Sequence, residues 1–472
     1  MIDPPRPSRQ AVDKARTLLE RWLGPSKVLT GTSQCEPYAT DDSDVPGVVP
    51  DVVVLAQSDD DIVRTLQTAS DAEVPVTPRL AGSGRTGGAV PVAGGIVLVT
   101  LGMNKVKEID RADRIAVVEP GVVTAELHDA VEREGLFYPP DPNSLKTCTI
   151  GGNVAENAGG PRAFKYGVTR DYVLGLEAML IDGTRLRIGK RTVKGVTGYD
   201  LTALLTGSEG TLAVFGEITV RLISKPAGVV ALMALFEDVR TAALAVSSIV
   251  SRGLVARCLE LLDRGTLAAM RARGVAIHEQ AGAMLLVEVD GDTRGCEEDA
   301  QRIGQACMDE RAIEVLVAQD EAQRARVWAA RQELSPAVRA LSLHKVSEDI
   351  VVPRARIADL LDEVDRTSEA TGIRTVAYGH AGDGNLHVNF LWDHDEDRPR
   401  VERSIEQLFG HVVAMGGTLS GEHGIGILKA PYLRLEQSES LILLQKSIKR
   451  TFDPKGLLNP GKIFPTSGHR AC

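Results

Sequence analysis

Apolar positions along the chain follow two periods that change at regular intervals. Residues 51–56 (DVVVLA) are a β-branched and apolar stretch, and Ile62, Val63, Leu66 and Ala69 then recur at helical spacing. The spacing predicts an opening helix over residues 11–23, a strand over 51–56, a helix over 59–70 and a strand before residue 80. Short apolar strands follow in GGIVLVTLGM and in RIAVVEPGVV, the second ended by Pro120-Gly121. TAELHDAVEREG reads as an amphipathic helix closed by Gly135, LGLEAMLIDGTRLRIG as two strands around an Asp182-Gly183 turn, and GTLAVFGEITVRLI as a further strand pair. Lys225-Pro226-Ala227-Gly228 marks a boundary. Beyond it the strands ALMALFE, AMLLVEVDG and IEVLVAQ alternate with the amphipathic helices TAALAVSSIVSRG and CEEDAQRIGQACMDE, as far as about residue 420. The tail reads as one helix and a Pro/Gly-rich closing segment. No repeat or low-complexity tract interrupts this α+β pattern.

Composition narrows the class. The chain has 472 residues, 43% hydrophobic and 25% charged, which fits two to four globular domains. The net charge is −10 and no Lys/Arg cluster forms a basic stripe, so nucleic acid is not an expected partner. The first residues carry no apolar core of a secretory signal, and no run is long enough to cross a bilayer. A cytoplasmic location, or a peripheral one at a membrane, is the expectation. The six cysteines, Cys35, Cys148, Cys258, Cys296, Cys307 and Cys472, are scattered and read as thiols, with no iron–sulfur or zinc knuckle spacing.

Glycine reaches 46 residues and concentrates in three places. The first, AGSGRTGGAV (81–90), contains Gly82, Gly84 and Gly87 at the GxGxxG spacing of a dinucleotide turn. Such a turn must open a helix, because the pyrophosphate sits at the helix N-terminus. Here Pro91 and Gly94-Gly95 break any helix and a strand follows, so the Rossmann reading fails. Successive backbone N–H groups can still make an anion-binding concavity without a helix. The second stretch, residues 138–173, holds five glycines and four prolines and reads as a long irregular segment of small residues suited to a flat ligand. The third is TGSEGTLAVFGEI (206–218).

These three stretches together resemble the flavin-binding domain of the vanillyl-alcohol-oxidase-like flavoproteins. Arg79, Gly82, Gly84, Gly87, Gly88 and Ala89 match that family's pyrophosphate loop, with Arg85-Thr86 where Leu-Ser is common. The resemblance implies non-covalent FAD with its diphosphate on residues 82–88, Ser83 included. It implies further cofactor contacts from Pro120, Asp141, Ser144, Thr149, Gly151, Gly152, Asn153, Asn157, Gly159, Gly160, Glu209, Gly210 and Asn459. No histidine lies between His128 and His278, so covalent attachment of the flavin through a histidine of this domain is not expected.

Three of the nine histidines fall in two compact motifs, YGHAGDGNLHVNF (378–390) and GGTLSGEHGIGILK (416–429). The first reads as strand, tight turn, strand, which brings His380 and His387 together. Two imidazoles and one carboxylate, Glu422, suit a borderline divalent cation with open positions. His423 follows the carboxylate directly; adjacent side chains diverge, so it reads as a base beside the metal. His344, beside Lys345, is a weaker candidate.

The same motifs, with ARQELSPAVRAL and HKVSEDIVVP, look like the C-terminal domain of FAD-dependent D-2-hydroxy acid dehydrogenases. That group implies His380, His387 and Glu422 as ligands of zinc, manganese or iron, and His423 as base. Arg331, Ser335, Lys345 and Asn385 are implied at the substrate. The implied domains are a helical segment (1–44), an FAD-binding domain (45–225), a substrate or cap domain with an antiparallel sheet (226–424) and a C-terminal segment (425–472) that completes the FAD domain. The implied reaction is oxidation of D-lactate, glycolate or a similar acid. The electrons then pass to a quinone, cytochrome, electron-transfer flavoprotein or partner iron–sulfur subunit. A homodimer is compatible with this reading. The rival readings are a flavin-dependent alcohol or sugar oxidase and a non-catalytic flavin subunit, neither of which calls for Arg331 and a metal set together, and a metal-dependent hydrolase without flavin, which a flavin spectrum of the purified protein would separate.

Overall fold

The computed structural model describes residues 6–464, apart from 319, 321, 325–330, 332 and 333. His469 and Cys472 lie outside the described residues. The chain divides into two compact units, one from residues 1–158, 168–225 and 422–472, the other from 159–167 and 226–421. The segment 159–167 thus groups with the second unit, although its sequence reads as part of the first region.

The first unit opens with β1 (Val28–Leu29), β2 (Val52–Leu55), β3 (Val76–Arg79) and β4 (Ile96–Val99) in one sheet of order β1-β2-β4-β3. Strands β2, β4 and β3 run parallel and β1 antiparallel. Helices Arg9–Leu23 and Asp59–Ala72 bury Leu19, Ile62, Leu66 and Ala69 against Val52, Val54, Ile96 and Leu98. The second helix starts where Ser58 accepts the Asp61 N–H and three aspartates meet the helix dipole. Next come β5 (Val106–Asp110), β6 (Ile115–Val118), β7 (Leu136–Phe137), β8 (Val173–Met179), β9 (Arg185–Gly189), β10 (Val214–Arg221) and β11 (Ile223–Ser224). Five of them form an antiparallel sheet, β5-β6-β10-β8-β9.

Two sequence expectations are corrected here. GTLAVFGEITVRLI is not a strand pair: β10 runs through Gly216 with a register irregularity between Phe215 and Ile218, and only the two residues of β11 pair elsewhere, with β7. A lone glycine in a strand makes a bulge and not a turn. Residues 138–173 are not irregular throughout, since helices Ile150–Glu156 and Ala163–Tyr166 form within them. Thr149 caps the first by accepting from Gly152 N–H, and Ile150 and Val154, one turn apart, are fully buried.

The second unit is built on β12 (Gly228–Phe236), β13 (Cys258–Leu262), β14 (Ala283–Gly291), β15 (Glu314–Val317), β16 (His344–Val351), β17 (Arg374–His380) and β18 (Asn385–Trp392). All neighbours are antiparallel in the order β15-β12-β14-β13-β17-β18-β16. The register pairs Glu260 with His380, Tyr378 and Asp349 with His387, and Asn385 with both His380 and Val351. Side chains alternate between faces, so Glu260, His380, Asn385, His387 and Asp349 share one face, with Lys345 four residues before Asp349. Farther along that face, Leu262, Leu286, Val376, Tyr378 and Leu391 pack with Leu267 and Met270 of helix Arg264–Ala272 and with Leu334, Ala337 and Val338 of helix Leu334–Arg339. The apolar end of the face thereby fixes the helix that carries Ser335.

The β17–β18 turn sets the spacing of the two histidines. Gly384 sits there at φ +85°, and a Cβ would lie 2.0 Å from the Val352 carbonyl oxygen. Gly384→Ala is expected to cost more than ~1 kcal/mol, read as a shift in denaturant midpoint at unchanged m-value.

Candidate active site

In the first unit, β3 leads into the glycine loop and the chain emerges in β4 without a helix. The loop is shaped from inside. Arg79 lies behind Gly82, where a Cβ would be 2.2 Å from its Nη2, and its Nη1 donates to the Thr40 carbonyl at 2.6 Å. Gly87, at φ +85°, lets Val45 and Ile427 close on the loop. Ser83 is half-buried, Gly84 opens onto no neighbour within 4 Å, and exposed Arg85 lies 3.5 Å from Asp42. Thr86 joins the loop to the return segment: its hydroxyl donates to the His423 carbonyl (3.1 Å) and its carbonyl accepts from Ile427 N–H (2.8 Å).

The other residues expected at the cofactor divide by role. Gly151 packs on Pro120, to whose carbonyl it donates at 2.8 Å, and Asn153 donates to Thr124 Oγ1. Ser144 starts the turn that leads to Thr149 through its carbonyl, and Asn157 ends the helix in the left-handed region while accepting from Arg170 N–H. These residues hold the shape of the segment. Asp141 is half-buried in the preceding loop, and Gly159 and Gly160 fall in the second unit. Asn459 donates to the Gly88 and Glu209 carbonyls at 3.0 and 2.8 Å, beside Gly210.

Glu209 accepts from Ile425 and Gly426 N–H, both at 2.7 Å, and so fixes the segment just after His423. Glu156, whose Oε1 approaches Gly88, is a further carboxyl that sequence reasoning missed. Burial raises both carboxyls above the usual range; the Glu209 and Asp41 charges add to this at Glu156, while the two N–H groups, Lys462 and Lys429 oppose it at Glu209. Glu156 Oε2, Ser208 Oγ and Asn459 Oδ1 are among the buried polar atoms of this unit that have no hydrogen-bond partner among the described residues. Buried polar atoms without partners call for an explanation, and a polar ligand in the cradle is one. The residues present therefore fit a bound flavin nucleotide.

In the second unit the two predicted ligands do come together. The His380 and His387 ring centroids are 5.4 Å apart at 86°. Each imidazole faces a carboxylate that sequence reasoning passed over. Glu260 Oε1 is 2.5 Å from His380 Nδ1, and Asp349 Oδ1 is 4.0 Å from His387 Nδ1. Metal-binding histidines characteristically have such carboxylates behind them, so the pair fits a divalent cation. Arg331 is buried, its Nε donates to Glu260 Oε2 at 2.6 Å, and its guanidinium lies 5.5 Å from the Tyr378 ring centroid. Burial alone would raise the Glu260 carboxyl, but Arg331 and His380 outweigh it and bring it down to about 2. Lys345 reaches Ser335, Nζ to Oγ 3.3 Å. Asn385 donates to Asp349 Oδ1 at 2.6 Å and to the Ile350 carbonyl, so its amide is fixed by the sheet.

Asp349 Oδ2 also accepts from Gly421 N–H at 2.9 Å. Glu422 and His423 follow Gly421 directly in the chain, as the first residues of the return segment, with His423 Nε2 4.0 Å from Glu422 Oε1. His344 is stacked on Trp392 and paired with Asp395, which accounts for it without a catalytic role. A sequence signal for Glu260 did exist: it is a lone acid inside the apolar strand CLELL, and buried acids are rare unless paired.

The comparisons with known proteins agree with this geometry. Residues 225–463 match the model of the C-terminal domain of FAD linked oxidases, and residues 50–189 match an FAD binding domain. The chain belongs to the FAD-linked oxidase family. It is 41% identical to glycolate oxidase subunit GlcD of Bacillus subtilis, over 88% of this chain and 89% of the relative. It is 33% identical to a D-lactate dehydrogenase of Anaerostipes hadrus, over 93% and 95%. Among solved structures, p-cresol methylhydroxylase with substrate bound superposes over 100% of both chains with TM-score 0.83 at 16% identity. The fold of this FAD-linked oxidoreductase is accordingly the vanillyl-alcohol-oxidase-like one. Among its described residues no helix is long and apolar enough to cross a membrane.

Lys462 supplies a pH prediction for the flavin unit. Its ammonium is buried and donates to the Val90 and Pro460 carbonyls. Burial lowers it to about 7, against the pull of Asp41 and Glu209. Between that value and the unfolded ~10.4 the unfolded chain binds the extra proton, so this lysine adds stability as pH rises. Wild-type stability relative to Lys462→Met is expected to increase from about pH 7 to about pH 9, measured by denaturant unfolding. A pH-independent difference would contradict the assignment.

Proposed function

We propose that this FAD-linked oxidoreductase converts a D-2-hydroxy acid, such as D-lactate or glycolate, to the 2-oxo acid. The observation that carries the reading is one sheet face that joins two carboxylate-backed imidazoles to Arg331 and Lys345. The names of the relatives, a glycolate oxidase subunit and a D-lactate dehydrogenase, support the same substrate class.

Each group has a role in that reaction. Arg331 offers a planar fork to the substrate carboxylate, and Lys345, steadied by Ser335, adds a second positive charge. Asn385, whose NH₂ is held by Asp349 and the Ile350 carbonyl, offers its Oδ1 to accept from a substrate hydroxyl. His380, His387 and Glu422 would hold a divalent cation (zinc, manganese or iron). When bound, that cation supplies a Lewis acid at the hydroxyl and non-covalent FAD supplies the two-electron acceptor. His423 takes the hydroxyl proton; an imidazole with an ordinary pKa of ~6.5 is suited to this near neutral pH. Its carbonyl contact with Thr86 ties that base to the flavin loop. The glycine loop 82–88 receives the diphosphate on backbone N–H groups.

The electrons taken from the acid would leave to a non-nicotinamide acceptor: a quinone, a cytochrome, an electron-transfer flavoprotein or an iron–sulfur partner. The word "subunit" in the name of the Bacillus relative favours a partner protein. A cytoplasmic enzyme, or one peripheral at a membrane, is consistent with the absence of a spanning helix among the described residues. A sugar or alcohol oxidase would leave Arg331 and Lys345 without a carboxylate to bind.

His423→Ala is expected to keep its flavin and to be reduced by D-lactate ~10²–10⁴-fold more slowly in anaerobic stopped flow. Reduction at the wild-type rate would refute the base. Chelation should stop reduction by substrate without loss of flavin absorbance, and added Zn²⁺ or Mn²⁺ should restore it. Full activity in protein shown to be metal-free would refute the metal.

A further inference from the structure

Glu260 does more than neutralise charge. It is fully buried in the middle of β13, one carboxylate oxygen on His380 Nδ1 and the other on Arg331 Nε. We propose that Glu260 is a positioning residue that fixes His380 for the divalent cation and Arg331 for the substrate carboxylate, making both depend on one carboxylate. The proposal rests on the metal and Arg331 assignments made above.

The chemistry runs from the acceptor outward. An ionised carboxylate only accepts hydrogen bonds, so each atom it faces must carry a proton. Against Glu260 Oε1, the neutral His380 ring therefore bears its hydrogen on Nδ1. Its lone pair is then on Nε2, the nitrogen a metal requires. On the other side, Glu260 Oε2 engages Nε and fixes the plane of the guanidinium, whose terminal nitrogens form the edge that suits a substrate carboxylate. Tyr378, beneath the guanidinium and two residues before His380 on β17, holds the same plane from below. Strand register places Glu260 directly opposite His380, so the sheet itself sets that contact.

A buried ion cluster is weak support for stability, because desolvation offsets the attraction. The arrangement makes better sense as orientation. Asp349 behind His387 is arranged differently, since its two oxygens also serve Asn385 and Gly421. Among the described residues Glu260 is the carboxylate that hydrogen-bonds both a predicted ligand, His380, and the predicted cationic substrate anchor, Arg331.

The test is Glu260→Gln in the full-length, flavin-loaded protein. Glutamine keeps the shape but replaces one acceptor by an NH₂ donor. That donor must face either Nδ1 of His380, which shifts the ring hydrogen to Nε2, or Nε–H of Arg331, which breaks that contact. Zn²⁺ affinity, measured by competition with a chromogenic chelator, is expected to fall ~10–100-fold with flavin absorbance unchanged. At saturating Zn²⁺ the variant should still show a raised KM for D-lactate. Unchanged Zn²⁺ affinity and KM in a variant that retains flavin would overturn the role of Glu260 while leaving the metal reading intact. A wild-type protein that binds no Zn²⁺ would overturn the metal reading and this proposal with it. A second measurement needs no Glu260 variant. In metal-stripped wild-type protein with ¹⁵N-labelled histidine, the His380 signal, identified by its loss in His380→Ala, should report the Nδ1–H form. An Nε2–H form would overturn the proposal.

Discussion

The register of β13, β17, β18 and β16 is the constraint on which the second unit's chemistry depends. Four antiparallel strands bring Glu260, His380, His387, Asn385 and Asp349 onto one face at fixed spacing. A slip of one residue in any of them would turn its polar side chains toward the apolar face and expose its apolar ones. The register is held from both sides: Leu259, Leu261, Val388 and Ile350 are buried on the opposite face, and the Leu262–Val376–Leu391 cluster is buried on the near face. The core thus sets the distance between the two imidazoles, and Glu260 hydrogen-bonds the His380 ring from behind.

The first unit solves a different problem. A nucleotide diphosphate needs backbone N–H groups at close range, and a loop that supplies them has few side chains to hold its own shape. Here the shape comes from Arg79 just before the loop, behind Gly82, and from distant parts of the chain: Asn459 on the Gly88 carbonyl and Thr86 on the return segment. Glu209 ties down the two N–H groups after His423. The segment that carries the proposed base is therefore built into the wall of the flavin cradle, and Gly421, its last neighbour in the other unit, is held by Asp349. The proposed base thus lies on the same segment, residues 422–428, that hydrogen-bonds the glycine loop at Thr86.

Much of this was legible in the sequence because the relevant signals are local. The strand–turn–strand of YGHAGDGNLHVNF, the Asp182-Gly183 hairpin and the missing helix after the glycine loop can each be read from a dozen residues. The parts that could not be read are contacts across the fold. Glu260 is 120 residues from its histidine and Arg331 is 71 residues from Glu260, so no spacing rule joins them. Residues 138–173 look irregular because glycine dominates, yet Thr149, Ile150 and Val154 suffice for two helical turns once tertiary burial is available. Arg79, taken from the sequence as a cofactor contact, donates to the Thr40 carbonyl, which only the packing of Gly82 against it could show.

The most direct measurement is anaerobic titration of the purified, flavin-loaded protein with D-lactate, L-lactate, glycolate and propane-1,2-diol, following the flavin absorbance. The account predicts rapid bleaching by a D-2-hydroxy acid or glycolate, weak bleaching by the L-isomer and none by the diol, which lacks the carboxylate that Arg331 and Lys345 would bind. A flavin bleached as readily by the diol as by the acids, or left oxidised by every 2-hydroxy acid, would contradict it.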